Sequence, residues 1–333
     1  MRATAIERSV GSAPAPPPAR WLGLLGEYGS GDSWRVVAEH EGRLRLVDTA
    51  LRVTPLTERA GSEFMTDSGA VPVRFLRDPS GRATALLVGD LRLERNQIEP
   101  RPGSNQLRVT PVRSVDSLRV EALAATPPQE AGPFAPNELV ELVRLDPSIR
   151  LDIRYATTNN FLGTRFYDEP RAFLQRPAAE AVVRANRALR ASGYGLLVHD
   201  GYRPWYVTKM FWDAVPADTK WLVADAAQGS RHNRGAAVDL TLFDLATGRP
   251  VEMPSTYDES TGRAYADYPG GTTRQRWHRA LLRRVMEAEG FRVNVHEWWH
   301  FDHATWRSYA ITNVPFDRIR RTTGSPVGPV APF

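Results

Sequence analysis

The chain has 333 residues, 42% hydrophobic and 24% charged, with no cysteine and a net charge of +5. That composition excludes wholesale disorder, collagen-like and coiled-coil architectures, and at roughly 150 residues per domain the length predicts about two domains. The basic residues are almost all arginine, Lys209 and Lys220 being the only lysines, and they are scattered rather than gathered into the patch or stripe of a nucleic-acid binder.

No apolar run approaches the ~20 residues of a membrane span. Met1 to Val10 also lacks the apolar stretch of roughly 7 to 15 residues that a secretory signal requires. The sequence as written is therefore expected to be cytoplasmic, or periplasmic or secreted if a signal was removed, since Gly11 to Arg20 (GSAPAPPPAR) resembles the spacer that often follows one. Residues 1–19 are expected to be a disordered, proline-rich segment.

From Trp34 to Glu94, short β-branched and apolar runs alternate with turn signals. Strands are predicted at Arg35 to Ala38, Arg43 to Val47, Val71 to Leu76 and Ala83 to Val88, with turns at Glu41-Gly42 and Asp78-Pro79-Ser80-Gly81. This predicts a small antiparallel β domain over residues 20–110, in which His40 stands alone and no chemistry is assembled; its partner is not legible. The segments WLGLLGEYG and VRFLRDPSGRATALLV loosely resemble the small β domain appended to some bacterial serine hydrolases, which implies no catalytic residue. Four prolines in the eleven residues Thr126 to Pro136 predict a linker, placed at 111–137.

Beyond it the texture is mixed helix and strand over 138–320, followed by a flexible tail at 321–333. Pro177 to Ser192 reads as a helix, with proline in its first turn, Val182, Val183, Asn186 and Leu189 along one side, and Gly193 as its stop. Arg274 to Glu289 repeats the pattern with Trp277, Leu281 and Val285, ending at Gly290. Gly195 to His199, Ala236 to Phe243 and Phe291 to Val295 are strand candidates.

Five of the seven histidines fall in three short motifs beside acidic residues: HDGYRP from His199, SRHNRGAAVD from Ser230, and HEWWHFDH from His296. In a protein without cysteine, two histidines and a carboxylate are the natural ligand set for a catalytic zinc that keeps one position for water. A lone histidine near a strand is more often a hydrogen-bonded residue than a ligand, so each position needs further support. Strand periodicity puts Val238, Leu240 and Leu242 on one face, and Ala237, Asp239, Thr241 and Phe243 on the other. Asp239 is thus a carboxylate on the less apolar face of a buried strand, where it needs a cation or donors. Glu297 and His300 are three apart in a segment that otherwise reads as strand, which predicts a bend or bulge.

Four collinear segments, DIRYATTNNFLG (Asp152 to Gly163), GLLVHDGYRP (Gly195 to Pro204), SRHNRGAAVDLTL (Ser230 to Leu242) and EWWHF (Glu297 to Phe301), resemble the signatures of VanX-type D-alanyl-D-alanine dipeptidases, a zinc D,D-peptidase family. The resemblance runs over about residues 138 to 316. It implies an α+β fold: a zinc peptidase domain with a central antiparallel sheet flanked by helices, here preceded by the small all-β domain. It further implies one Zn2+ per chain on His232, Asp239 and His300, with Glu297 as general base and Arg203 as the cation facing the scissile carbonyl. Tyr155, Ser230 and Asp258 become substrate-binding residues, Asp258 taking the free amine. The implied reaction is hydrolysis of the small D-Ala-D-Ala dipeptide in bacterial cell-wall peptide metabolism. Trp205 to Arg231 is shorter than in the resistance enzymes of the family and borders the pocket, which bears on substrate length. Alternatives are a D,D-carboxypeptidase acting on longer peptidoglycan peptides and a non-catalytic wall-binding protein. His199, His278, His296 and His303 are read as structural or supporting, His303 being the nearest rival ligand.

Overall fold

The computed structural model describes residues 11–59, 63–67, 69, 71–96 and 108–319. The expected tail 321–333, and residues 1–10 of the expected N-terminal segment, lie outside the described residues.

Eight strands follow one another in sequence: β1 (Gly26–Tyr28), β2 (Arg35–His40), β3 (Arg43–Asp48), β4 (Val53–Glu58), β5 (Phe64–Thr66), β6 (Pro72–Arg77), β7 (Ala83–Val88) and β8 (Leu91–Glu94). Each pairs antiparallel with the next. The sheet then closes on itself, since Gly29 N–H donates to Glu94 O and Asn96 N–H to Glu27 O, both at 2.8 Å. Closure removes the unpaired edges that an open sheet would expose. Leu44, Leu46, Leu56, Phe64, Val73, Leu86 and Leu93 point into a filled interior sealed by Trp21 and Tyr28.

The expected linker is not featureless. Val115–Ala124 forms helix α1, whose Leu118 and Ala122 are buried in the second core. Prolines at Pro127, Pro128, Pro133 and Pro136 follow that helix rather than interrupt it, so their helix-breaking character applies only to its C-terminal side.

The second core is built on β9 (Leu139–Glu141), β10 (Arg150–Leu151), β11 (Phe173–Gln175), α2 (Arg176–Arg190), β12 (Tyr194–Asp200), α3 (Trp205–Ala214), β13 (Ala237–Asp244), α4 (Thr273–Ala288), β14 (Phe291–Asn294) and β15 (Glu297–His303). The central sheet runs β10-β12-β13-β15-β14, antiparallel except for the short edge strand β10, which is parallel to β12. Helices α2 and α4 pack on the sheet, burying Val182, Val183, Asn186 and Leu189 from one and Leu281, Leu282, Val285 and Met286 from the other. The chain leaves both helices through glycines at positive φ, Gly193 at 83° and Gly290 at 87°, a conformation that costs glycine little. No helix among the described residues is long and apolar enough to cross a membrane.

Candidate active site

Strand β13 has the expected two faces. Val238, Leu240 and Leu242 enter the core, while Asp239 lies on the opposite face in register with His300 of β15. The predicted irregularity in β15 is present: Val293 pairs with Phe301, yet the next residue, Asn294, pairs with Glu297. The residues inserted between these two pairs form a bulge, which lets Glu297 and His300 share one side while Trp298 and Trp299 are buried. Trp298 Nε1–H donates to Ser255 Oγ at 2.8 Å, anchoring the bulge. His232 arrives on the turn Arg231–Arg234, which is capped by Ser230 and left through Gly235 at φ 66°.

These elements bring His232, Asp239 and His300 together, with one candidate ligand atom from each lying within 4.8 Å of the others. His232 Nε2 is 3.1 Å from His300 Nδ1 and 3.4 Å from Asp239 Oδ1; His300 Nδ1 is 3.0 Å from the same oxygen. The hydrogen-bond network assigns the tautomers. His232 Nδ1 faces Gly201 O at 2.7 Å, and because a carbonyl only accepts, the proton is on Nδ1 and the lone pair on Nε2. His300 Nε2 donates to Asp302 Oδ1 at 3.0 Å, leaving its Nδ1 lone pair toward the cluster. Asp302 is in turn paired with Arg231. Two lone pairs and a carboxylate oxygen therefore converge with no donor between them, which calls for a cation.

Electrostatics agree. Burial opposes charge on His300, but its bonds to Asp239 and Asp302 outweigh it and raise its pKa well above the usual imidazole range. Burial likewise works against ionised Asp239, yet His232 and His300 hold it well below the carboxylate range. The same carboxylates that favour positive charge on His300 favour a cation among the three donor atoms. The Tyr257 hydroxyl donates to Asp239 Oδ2 at 3.0 Å, so both carboxylate oxygens are engaged.

The cluster lies in a cavity of about 720 Å3 that also admits Tyr155, Arg203, Ser230, Asp258 and Glu297. Glu297 Oε2 is 3.8 Å from His300 Nδ1 and accepts from Asn294 Nδ2 at 2.9 Å. Arg203 is buried: its Nε and Nη2 donate to Asp200 Oδ2 at 3.0 and 2.8 Å, and its guanidinium lies over Tyr155 and Phe211. Burial disfavours the Arg203 charge, but Asp200 more than restores it. Nη1 makes no hydrogen bond among the described residues. Asp258, at φ 61°, accepts from the Tyr155 hydroxyl at 2.9 Å. Enclosure by the protein, reinforced by the Asp239 carboxylate, pushes its pKa up to about 8.

Every proposed site residue thus borders one cavity. His303 does not: it bonds Thr305, packs on Phe291 and lies outside the cluster. His199 and His278 are buried in hydrogen bonds to Asp152 and to Glu252 and Tyr194, and His296 is exposed at the cavity rim. Sequence reasoning gave no role to Asp200, Tyr257, Asn294 or Asp302. Asp200 and Asp302 sit inside the quoted motifs, and Tyr257 directly precedes Asp258, so adjacency was the available signal.

A sheet that presents two imidazoles and a carboxylate at a cavity floor, with a further carboxylate beside them, defines a site of the metal-dependent hydrolase class. A model of the peptidase family described as D-ala-D-ala dipeptidase matches residues 135–316. The D-alanyl-D-alanine dipeptidase of Escherichia coli is 34% identical over 174 residues, covering 52% of this chain and 89% of that one. Its counterpart in Enterococcus faecalis is 35% identical over 174 residues, covering 46% of this chain and 85% of that one. The chain belongs to the D-Ala-D-Ala dipeptidase family of metallopeptidases. A crystal structure of SurE with D-Leu is similar at 27% identity over 26% of this chain and 22% of that one, with a TM-score of 0.21, too slight a likeness to carry an argument.

Proposed function

We propose that this protein is a zinc-dependent D,D-dipeptidase that hydrolyses D-Ala-D-Ala in bacterial wall-peptide metabolism. The convergence of three donor atoms, from His232, Asp239 and His300, beside Glu297 carries the reading. Nitrogen and carboxylate donors of this number suit zinc, which keeps a further position for catalysis. The hydrogen bonds of His232 to Gly201 O and of His300 to Asp302 are the outer supports that fix ligand orientation.

When bound, zinc supplies Lewis acidity, polarising the amide carbonyl and acidifying water. Glu297 accepts the proton of the attacking water and delivers it to the leaving amine; its side chain is 40% exposed, so it reaches both solvent and substrate. Arg203, held by Asp200, directs its free Nη1 at the oxygen on which negative charge develops. Asp258 and Tyr155 receive the ammonium of the substrate, whose charge restores the ionised form that enclosure disfavours. Ser230 orients the His232 turn through its hydroxyl, which accepts from His232 N–H at 3.3 Å, and lines the substrate side.

A second reading, removal of terminal D-Ala from longer wall peptides, draws on cavity size. About 720 Å3, reaching Trp221, Tyr265 and His296 at the rim, exceeds what a dipeptide fills. A panel of D-Ala-D-Ala, L-Ala-L-Ala and N-acetyl-D-Ala-D-Ala, each with and without chelator, separates the readings. The dipeptidase cleaves the free D,D-dipeptide fastest and loses that activity to the chelator. Faster cleavage of the acetylated substrate would install the carboxypeptidase, and chelator-insensitive turnover would remove the metal from the mechanism.

A further inference from the structure

We propose that the β-barrel is a positioning part of the active site, because it clamps the loop that carries Tyr257 and Asp258. The inference rests on the reading of Asp258 as the amine-binding residue.

The loop between Met253 and Thr272 supplies one wall of the cavity, with Asp258, Glu259, Ser260, Thr261, Gly262 and Tyr265 lining it. It is tied into a unit by its own side chains. Arg263 donates to Pro254 O at 3.2 Å and pairs with Glu259, and Thr261 Oγ1–H donates to Glu259 Oε1 at 2.6 Å. What holds the unit in place comes largely from outside it.

On the barrel side, β2 lies along the return arm of the loop. Ala38 bridges Gly271, and Glu39 N–H donates to Gly271 O at 3.1 Å. The buried Glu39 carboxylate accepts from Thr273 N–H at 2.7 Å and from Thr273 Oγ1–H at 3.1 Å. A barrel residue thereby satisfies a donor in the first turn of α4, where a negative charge also faces the positive end of the helix dipole. The Thr273 hydroxyl also accepts from Glu41 N–H at 2.9 Å. Tyr268 closes the contact, packing in one small core with Val36, Ala38 and Val47.

From α4, two largely buried arginines gather the backbone of the same arm. Arg276 donates to Gly270 O, Gly271 O and, across the interface, Glu39 O, the last at 2.6 Å. Arg279 donates to Tyr265 O at 3.2 Å and Tyr268 O at 2.9 Å. The arm that returns from Asp258 to α4 is thus pinned between helix and barrel, and the barrel bonds are the ones a separate peptidase domain would lack. None of these barrel residues touches the cavity or the His232, Asp239 and His300 cluster.

Hydrogen–deuterium exchange and steady-state kinetics on the full-length, zinc-loaded chain test the clamp. Glu39→Ala removes the trans-domain cap; Thr273→Val keeps the shape and the backbone N–H but loses the hydroxyl shared with Glu39 and Glu41. Both variants should speed exchange across residues 254–271 by about tenfold, as expected when a local opening becomes easier. Exchange in β13 and β15 and the zinc content should stay at wild-type levels. KM for D-Ala-D-Ala should rise about tenfold with kcat within about twofold, the pattern of lost binding common to ground and transition states. Glu39→Gln, which retains an acceptor, should recover most of both effects. Wild-type loop exchange and KM in Thr273→Val, the variant less able to disturb folding, would overturn the proposal. A wild-type enzyme that cleaves no D-Ala-D-Ala would sink the reading of Asp258, while the exchange measurement would still decide whether the barrel holds the loop.

Discussion

The imidazole of His199 lies on the ring of Tyr257, with centroids 4.5 Å apart and planes 26° from parallel. Its Nδ1–H donates to Asp152 O at 3.2 Å, on the chain just after β10. A line of contacts therefore runs from Asp152 through His199 to the Tyr257 hydroxyl and on to Asp239. Removing the last bond should loosen the orientation of a proposed ligand without deleting it. Tyr257→Phe is expected to lower zinc affinity by about 10-fold to 100-fold, measured by competition with a chromogenic chelator. Wild-type affinity would mean that Tyr257 merely fills space.

The start of that line makes a prediction about acid stability. Burial disfavours ionised Asp152, but its own carboxylate lies 3.4 Å from His199 Nδ1 through Oδ2, and this contact and the Arg154 charge outweigh burial and hold its pKa down at about 2. A carboxylate depressed in the folded state stabilises the fold fully above its unfolded value, near 4, and loses that contribution as pH falls through about 2. Asp152→Asn should thus lower the urea midpoint of the metal-free protein at pH 5, with a deficit of about 2 kcal/mol at most. The deficit should shrink toward pH 2.5, and one that stays constant over that range would show that the carboxylate charge is not its source.

If zinc binds as proposed, at one per chain, His232→Ala and His300→Ala should each lose most of it, while His303→Ala keeps it. Elemental analysis of the purified proteins decides this. Zinc retained in both ligand variants, or lost in the His303 variant, would require a different set.

Much of the site was legible because its residues lie in short stretches whose polarity is odd for their surroundings. Asp239 interrupts an apolar strand, and His232 precedes it on a turn ended by glycine. The bulge in β15 was foreseeable because Glu297 and His300 can share a side only if the strand is irregular. Other parts were hidden for physical reasons. Barrel strand β4 contains Pro55, which cannot donate to a ladder and so reads against a strand, and β1 and β5 are three residues long. Helix α1 was masked by the prolines after it. The contact of Glu39 with Thr273 joins residues 234 apart in sequence, and no local pattern encodes such a pair.

Glu297 should separate metal binding from turnover. Glu297→Ala is expected to retain its zinc and lose about 10²-fold to 10⁴-fold in kcat, the range for a missing general acid-base group. Its partner gives a graded control: Asn294→Ala removes the 2.9 Å bond to Oε2 but leaves the carboxylate, so the loss should be smaller. Zinc lost from Glu297→Ala, with normal activity per bound ion, would make Glu297 a ligand.

The last prediction concerns the free amine of the substrate. Asp258 holds one hydrogen bond, from Tyr155, in an enclosure that raises its pKa to about 8. An ammonium beside it supplies the charge that the site lacks, and a charge-assisted bond of this kind contributes about 1.5 to 3 kcal/mol. Acetylating the amine deletes that bond and puts an uncharged, bulkier group against the carboxyl. On the scale of tenfold per 1.36 kcal/mol, N-acetyl-D-Ala-D-Ala should be cleaved about 10-fold to 10²-fold less efficiently than the free dipeptide. Asp258→Asn should compress that ratio, because it weakens the dipeptide more than the blocked analogue. Measuring kcat/KM for both substrates with both enzymes gives a double-mutant cycle whose coupling term isolates the amine–carboxylate contact. No coupling would place the amine elsewhere in the cavity, and a wild-type preference for the acetylated substrate would identify this pocket as one built for the ends of longer peptides.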